Sequence, residues 1–355
     1  QAVFSRAWTI PKDGNTTEQN EDAWRLEPFV HGPWRQGMLI TMADGTTEAV
    51  YSGPWARTLV AAAEPDWPVL DPAEWEQRLD VVKRQFAPLD RDSAVPWYVR
   101  NKYLTQGSQA TFLAVTLCQE PGLPGRVLRA LAVGDCCLFL LRPRAQVFAF
   151  PLVESIQFGQ NPALITNRAQ PALDVQRCEA LVQPGDLLVA CSDALARWLL
   201  QAIEMSEIDK VFDLLAGLLA GNRTSLWTSP SHEADWRGWK HWLKSVRTWL
   251  RTGTDEPASP PTQFAAPAGE FDASIARERG AESLPRLRND DTTLIVCLPL
   301  ESPPNTRPAT VPEKIEELRQ QFATAPVTVR PLQEAGVPES SRRWLLPWNL
   351  HESIS

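Results

Sequence analysis

Histidine is scarce in this chain of 355 residues: four copies, at positions 31, 232, 241 and 351, which do not cluster. The 6 cysteines (Cys118, Cys136, Cys137, Cys178, Cys191 and Cys297) show no Cys-x-x-Cys spacing. Both shortages argue against zinc and the softer metals, which favour imidazole and thiolate ligands. No Ser-His-Asp or Cys-His pairing is evident, so no side-chain nucleophile presents itself. No apolar run reaches the length of a membrane span, and the N-terminal stretch lacks a signal-peptide pattern. A formal charge of −8 argues against a general nucleic-acid binder while leaving room for a local basic patch. Unpaired-looking, mostly strand-embedded cysteines favour a reducing compartment, and the expected location is the cytoplasm. With 43% hydrophobic and 22% charged residues, the chain can bury a sizeable core in one large domain, alone or with appendages.

What the chain does have is a series of short acidic motifs: Glu21-Asp22, Asp44-Gly45, Gly134-Asp135, Ser192-Asp193 and Asp290-Asp291. Most sit at the end or start of an apolar β-type run, so folding can gather carboxylates that are far apart in sequence. Such a cluster repels itself, and burying it is unfavourable unless a cation neutralises it. The economical reading is a metal centre built from oxygen ligands. Carboxylates, a carbonyl and water suit Mg²⁺ or Mn²⁺, and Mg²⁺ keeps waters that leave room for a substrate phosphate and a nucleophilic water.

The flanking residues carry a resemblance. Asn20-Glu21-Asp22-Ala23, Ala43-Asp44-Gly45, Gly107-Ser108-Gln109-Ala110-Thr111, Val133-Gly134-Asp135, Ser192-Asp193-Ala194-Leu195 and Asn289-Asp290-Asp291-Thr292-Thr293 follow the motif order of the metal-dependent protein phosphatases of type 2C, bacterial type. Any one motif is weak alone; the order over 1–300 is the strong part. The resemblance implies an α+β fold, a four-layer α-β-β-α sandwich of two antiparallel sheets flanked by helices. It also implies two ions, Mg²⁺ or Mn²⁺, with Asp44 bridging them, the Gly45 carbonyl holding one, and Asp193 and Asp290 completing the other. Glu21 and Asp22 would act mostly through metal-bound waters, and Asp135 matches a ligand of a third, weaker site. That site's usual partner position holds Arg197, which cannot ligate a cation. Ala194 replaces a usual Gly, a change tolerated wherever the backbone is not at positive φ. The Arg that bacterial relatives use to grip phosphate is replaced by Thr17, with Lys12 and Arg6 as nearby substitutes that give no bidentate fork in the expected place.

Each residue also has a structural explanation. Asp22 could cap a helix or turn, Asp44-Gly45 and Gly134-Asp135 could be ordinary turns, and Asp193 could cap a helix beginning near Ala194. Gly107 and Ser108 read as packing and turn residues, and Asp291 as structural. The shared order and strand-end placement favour the metal reading for Asp44, Asp193 and Asp290.

Apolar, β-branched and aromatic content marks strands at 37–43, 110–117, 127–133, 136–141, 145–150, 187–191 and 292–298. Gly134-Asp135 between two such runs reads as a tight hairpin. Asp71, Pro72 and Glu74 open a helix by N-cap, first-turn proline and capping box, and another helix is expected over 47–63. Within a Trp-rich helical insertion at about 201–287, Trp236, Trp239, Leu243, Val246 and Leu250 line one face of a helix. Arg237, Lys240, Lys244, Arg247 and Arg251 form a basic stripe beside it. This is a solvated flank, a steering surface for phosphorylated substrate (Lys240, Lys244 and Arg247, with Lys12), or a membrane-surface element. Residues 252–270 read as a loop. The phosphatase-like domain is expected over 1–300. Beyond it, 301–309 reads as a Pro-rich linker, 310–322 as a short capped helix, and 342–348 as an apolar tail that docks back or binds a partner.

The leading expectation is a metal-dependent serine/threonine phosphoprotein phosphatase using a metal-activated water, with a phosphoprotein substrate and a cognate Ser/Thr kinase as candidate partner. The alternative is a catalytically weak or inactive phosphatase-like module that binds a phosphoprotein or kinase, motivated by Thr17, Ala194 and Arg197. A metal-dependent phosphohydrolase for a small molecule is a third class, because fold does not fix substrate.

Overall fold

The computed structural model describes residues 3–12, 14–31, 35–86, 95–120, 123, 125–159, 161–220, 290–299, 311–323 and 326–336. Its strands are β1 (Val3–Ile10), β2 (Asp22–His31), β3 (Arg35–Asp44), β4 (Gln109–Ala110), β5 (Phe112–Gln119), β6 (Arg126–Val133), β7 (Cys137–Arg142), β8 (Gln146–Phe150), β9 (Ile165–Thr166), β10 (Gln176–Val182), β11 (Leu187–Cys191), β12 (Thr292–Pro299) and β13 (Thr328–Pro331). Its α-helices are α1 (Ser52–Ala62), α2 (Pro72–Gln85), α3 (Trp97–Gln106), α4 (Asp193–Glu204), α5 (Ile208–Ala220) and α6 (Val311–Phe322). A 6-stranded sheet has the order β1-β12-β11-β7-β8-β13 and a 5-stranded sheet the order β10-β6-β5-β3-β2. Neighbours are antiparallel apart from β13, which runs parallel to β8.

Alternation along the strands builds the layers. In β6, Leu128, Ala130 and Ala132 enter a core between the sheets with Ile40, Met42, Val115, Leu138 and Ile295. The intervening Leu131 and Val133 face outward against Trp55 of α1, Trp75 of α2 and Trp67. On the other outer face, Phe139, Val147 and Val189 pack under Trp198 of α4, Phe212 of α5 and Phe322 of α6. Strands covered on both faces bury every position, as β6 does. The result is the expected α-β-β-α sandwich. Helix ends are closed locally: the Asp71 carboxylate accepts from Glu74 N at 2.9 Å at the start of α2. Arg25 Nη1 donates to the carbonyls of Val60, Ala61 and Ala63 at the end of α1, satisfying groups the helix leaves orphaned.

Several expectations need correction. Gly134-Asp135 is not a hairpin, because β6 lies in the 5-stranded sheet and β7 in the 6-stranded one. The pair is a corner that carries the chain across the sandwich. Gly134 has φ 95° there, and a Cβ would come 2.6 Å from Thr111 Cγ2 and 2.7 Å from the Ala163 carbonyl, so only glycine fits. A glycine-acid pair between apolar runs looks the same in sequence whether the next strand joins the same sheet or the facing one. The run 110–117 is interrupted at Thr111, where β4 leaves to pair with β9. The helix expected over 47–63 begins at Ser52, after Tyr51 at φ 56°.

Packing also continues beyond the expected boundary at 300. The short helix ends at Phe322 as expected, but β13 then extends the 6-stranded sheet, and Leu332 and Ala335 enter the core between the sheets. Edge strands β1, β2 and β10 escaped the sequence reading because Arg, Glu and Ser interrupt their apolar pattern. The segments 221–289, 301–310 and 337–355, with the Trp-rich helix, Lys240, Lys244, Arg247 and the apolar tail, lie outside the described residues. Among the described residues, no helix is long and apolar enough to cross a membrane.

Leu332 is 0% exposed, so Leu332→Ala should cost about 2–4 kcal/mol of unfolding free energy in urea titrations. An unchanged midpoint would mean that the segment after α6 is peripheral to the core.

Candidate metal centre

Register alone brings the acidic motifs to one end of the sandwich. Asp22 opens β2, Asp44 closes β3, and the two are direct cross-strand partners. In the same sheet β5 begins beside them, and its Phe112 pairs with Val133, the last residue of β6. The Gly134 corner delivers Asp135 to the start of β7, whose Cys137 pairs with Cys191, the last residue of β11. Asp193 follows at the first turn of α4, and Asp290-Asp291 precedes Thr292, the start of β12.

The electrostatics of the cluster follow from this placement. Desolvation pushes Asp44 well above the usual carboxylate range, and the charges of Asp22, Asp193, Asp135 and Asp290 add to the effect. Burial pushes Asp22 up to about 7, reinforced by Asp291 and Asp193 and opposed by the hydroxyls of Thr293 and Ser192. Those hydroxyls face Asp22 without completing a hydrogen bond of ordinary geometry, so both Asp22 oxygens are buried and unpartnered. A buried carboxylate in that condition is costly unless something neutralises it.

Backbone contacts fix the cluster. Asp44 N donates to Thr111 Oγ1 at 3.3 Å, and Thr111 N donates to the Asp44 carbonyl at 2.9 Å. Gly45 N donates to the Glu21 carbonyl at 3.2 Å. A Cβ on Gly45 would sit 2.7 Å from the Ser52 carbonyl carbon, so this close approach of α1 requires glycine. Asp291 accepts from Lys12 N and Glu21 N, each at 2.6 Å, and so ties two loops to the start of β12. Asn20 Oδ1 accepts from Asp22 N at 2.9 Å while its Nδ2 donates to Thr9 Oγ1 at 2.8 Å. Thr9 shares a hydroxyl contact of 2.8 Å with Thr293, whose N donates to Ser192 Oγ at 3.0 Å. Nothing in the sequence alone marks a role for Thr9, Asn20, Thr111, Ser192 or Thr293. Apart from Thr9, their one signal was adjacency to the acids or membership of the quoted motifs.

Other candidates are placed as follows. Lys12 Nζ donates to Glu21 Oε2 at 3.0 Å and to Thr47 Oγ1 at 2.8 Å, at the rim of the cluster. Burial works to lower its pKa, but Glu21, Asp291 and Asp290 outweigh that and raise it. Arg6 lies over the Phe4 ring within β1 rather than at the strand's site end. Thr17 is exposed in a one-turn 3-10 helix. Ala194 is buried within α4 and is not at positive φ, so no glycine is needed there. Arg197 follows Asp193 by one turn on the same helix. Cys136 Sγ lies 3.2 Å from Thr111 Oγ1; burial, with Asp44 and Asp135, pushes its pKa well up and keeps it a thiol.

The donor chemistry fits a hard cation: carboxylates, one of them buried and unpartnered, around a tightly packed Asp-Gly turn. Among the described residues, no three Asp, Glu, His or Cys side chains come close enough to hold a single ion together. The donors are thus gathered at one end of the sandwich without converging on one point.

No protein-family model and no curated protein matches the chain. Among solved structures it is similar to the photosystem II phosphatase PBCP, at TM-score 0.43 and 18% identity, over 84% of this chain and 98% of that one. It is also similar to the catalytic domain of the serine/threonine protein phosphatase PstP in complex with 2 manganese ions, at TM-score 0.40 and 14% identity, over 83% and 97% of the two chains. A further similar structure holds the PP2C phosphatase domain and a regulatory fragment of SpoIIE from Bacillus subtilis, at TM-score 0.36 and 14% identity, over 84% and 63%. These are phosphatases, and the last carries the name of the type 2C family whose motif order the sequence resembles. At such TM-scores and identities the likeness transfers no chemistry to this chain.

Burial holds the folded-state pKa of the Asp22 carboxyl at about 7, against about 3.9 for an unperturbed aspartate. Between those values the folded chain holds a proton that the unfolded chain releases. In a metal chelator this contribution to stability is full below about pH 4 and is lost as pH rises through about 7. Asp22→Asn should flatten the decline and raise the urea midpoint near pH 8. A variant that follows the parent's pH profile would mean that Asp22 is not a buried, uncompensated carboxylate.

Proposed function

We propose that the chain is a metal-dependent phosphatase acting on phosphoserine or phosphothreonine in proteins, with water as the nucleophile. The observation that carries this reading is the gathering of Asp22, Asp44, Asp135, Asp193 and Asp290 at one end of two facing sheets, with Asp22 buried and unpartnered. Two divalent ions, Mg²⁺ or Mn²⁺, would be held by Asp44, the Gly45 carbonyl, Asp193 and Asp290, with Glu21 and Asp22 behind bound waters and Asp135 at a weaker third position. Such ions would supply a water of lowered pKa and offset charge developing on the phosphoryl oxygens.

The chain's own groups do the rest. The Thr111 bonds hold the Asp44 backbone, and the Gly45–Ser52 approach leaves that turn no freedom to swing away. Asp291 fixes the backbones of Lys12 and Glu21, so that the Lys12 ammonium stays beside the acids, where a phosphate would arrive. Lys240, Lys244 and Arg247 are proposed as further substrate contacts, and a phosphoprotein, with its kinase, as the partner.

A second reading, a phosphatase-like module that binds without turnover, is favoured by one observation. Lys12, the cation at the rim of the cluster among the described residues, is already paired with Glu21. Manganese-dependent hydrolysis of p-nitrophenyl phosphate and of a phosphothreonine peptide, measured side by side, separates the two. Asp44→Asn and Asp193→Asn should each lower the rate by about a hundredfold or more, with the thermal midpoint held or raised. An unchanged rate in either variant would sink the metal assignment, and peptide binding without turnover in the parent would favour the second reading.

A further inference from the structure

Helix α3 buries little of its own surface. Of its residues only Tyr103 is buried, with Val99 partly covered one turn earlier. Its outer face carries Trp97 at 78% exposure and Leu104 at 56%, seven positions apart and so on one side of the helix. Arg100 flanks that stripe on one side; Tyr98, 61% exposed and edge-on to Trp97 with ring centroids 6.2 Å apart, lies on the other with Lys102. Large apolar side chains left together in water mark an interaction surface.

Charge decides what that surface takes. The sequence of α3, WYVRNKYLTQ, has two cations and no carboxylate, in a chain with 43 acidic and 35 basic residues. A second copy presenting the same face would set these cations against their like, whereas an acidic segment with an apolar side chain is complementary. Position points the same way. After α3 the chain passes through Gly107 and Ser108, held by Asn167 at 2.8 Å, to Gln109, whose carbonyl accepts from Thr46 N. Ala110 then bridges Gly45, and Thr111 holds Asp44. From Gly107 to Thr111 the chain can span at most about 14 Å, so the helix end lies close to the carboxylates. Arg168 over the Tyr103 ring at 4.8 Å, donating to the Tyr103 carbonyl, pins this end of the helix.

We infer that the outer face of α3, through Trp97, Leu104, Arg100 and Lys102, docks an acidic phosphorylated protein segment whose phosphoresidue reaches the carboxylate cluster. The inference rests on the phosphoprotein reading of that cluster and names where the rest of the substrate lies.

The test is fluorescence anisotropy on the full chain with manganese, using an acidic peptide of about 12 residues that carries a phosphonate analogue of phosphothreonine and a leucine. Trp97→Ala with Leu104→Ala should weaken binding about tenfold. Arg100→Gln with Lys102→Gln should also weaken it, and the difference should shrink as salt screens the charges. All four positions are exposed, so thermal midpoints should stay with the parent's. Competition by inorganic phosphate at the carboxylate cluster should be unchanged in both variants. Parent-like peptide affinity in both variants, no measurable binding by the parent, or a parent dimer that the Trp97/Leu104 variant dissolves would each overturn the docking site. Failure of catalysis alone, with peptide binding still lost in the variants, would overturn the phosphatase reading and leave the docking surface standing.

Discussion

The rest of the site depends on one constraint: carboxylates that repel one another are held together by the packing of two sheets. Asp22 and Asp44 are direct cross-strand partners, a placement of like charges that costs up to about 1 kcal/mol even before burial. What enforces it is the register of β2 on β3 and of β3 on β5, which puts Met38, Ile40 and Met42 into the core between the sheets. Each such side chain contributes about 1.5–3 kcal/mol, and a slip of one residue would turn all of them outward. Apolar burial therefore outweighs the repulsion, and the acids have no freedom to separate by sliding.

The same protein compensates two buried acids away from the cluster with arginine. Asp186, 0% exposed, receives the Arg142 fork at 3.1 and 2.9 Å as well as Gln183 N. Glu120, 3% exposed, pairs with Arg129, which also reaches Glu179. Asp22 is buried to a similar degree, yet its oxygens have no such partner. Removing one member of a buried pair typically costs 3–5 kcal/mol, so an uncompensated carboxylate is a departure from the pattern the fold follows elsewhere. Departures of this kind, where local rules are broken inside an otherwise consistent structure, are expected at functional sites.

Much of this was legible in the sequence. The central strands β3, β6, β7, β8, β11 and β12 announce themselves as apolar runs, and the motif order located the acids at strand ends. The sandwich followed from the resemblance. What the sequence hid was long-range. Whether Gly134 turns within a sheet or crosses between sheets depends on which core Leu138 joins, and the apolar pattern is identical in both cases. Likewise β13 reads as a short polar stretch with proline, and only its pairing with β8 and the burial of Leu332 make it part of the domain. The brackets around the acids, Thr9, Asn20, Thr111 and Thr293, are small polar residues that look like ordinary strand and turn composition until folding aims them.

Thr111 shows how tightly the parts of the site depend on each other. Its hydroxyl accepts from Asp44 N and touches Cys136, while its backbone N bonds the Asp44 carbonyl. Its methyl group lies where a Cβ on Gly134 would have to go. One buried side chain thus sets the spacing between the end of β3, which carries Asp44, and the corner that carries Asp135. Serine would keep the hydroxyl and lose the methyl that fills the corner, whereas valine would keep the shape and leave Asp44 N without its side-chain acceptor. Neither change alters a carboxylate, but each loosens one half of a two-sided constraint, and the cluster's geometry depends on both halves at once.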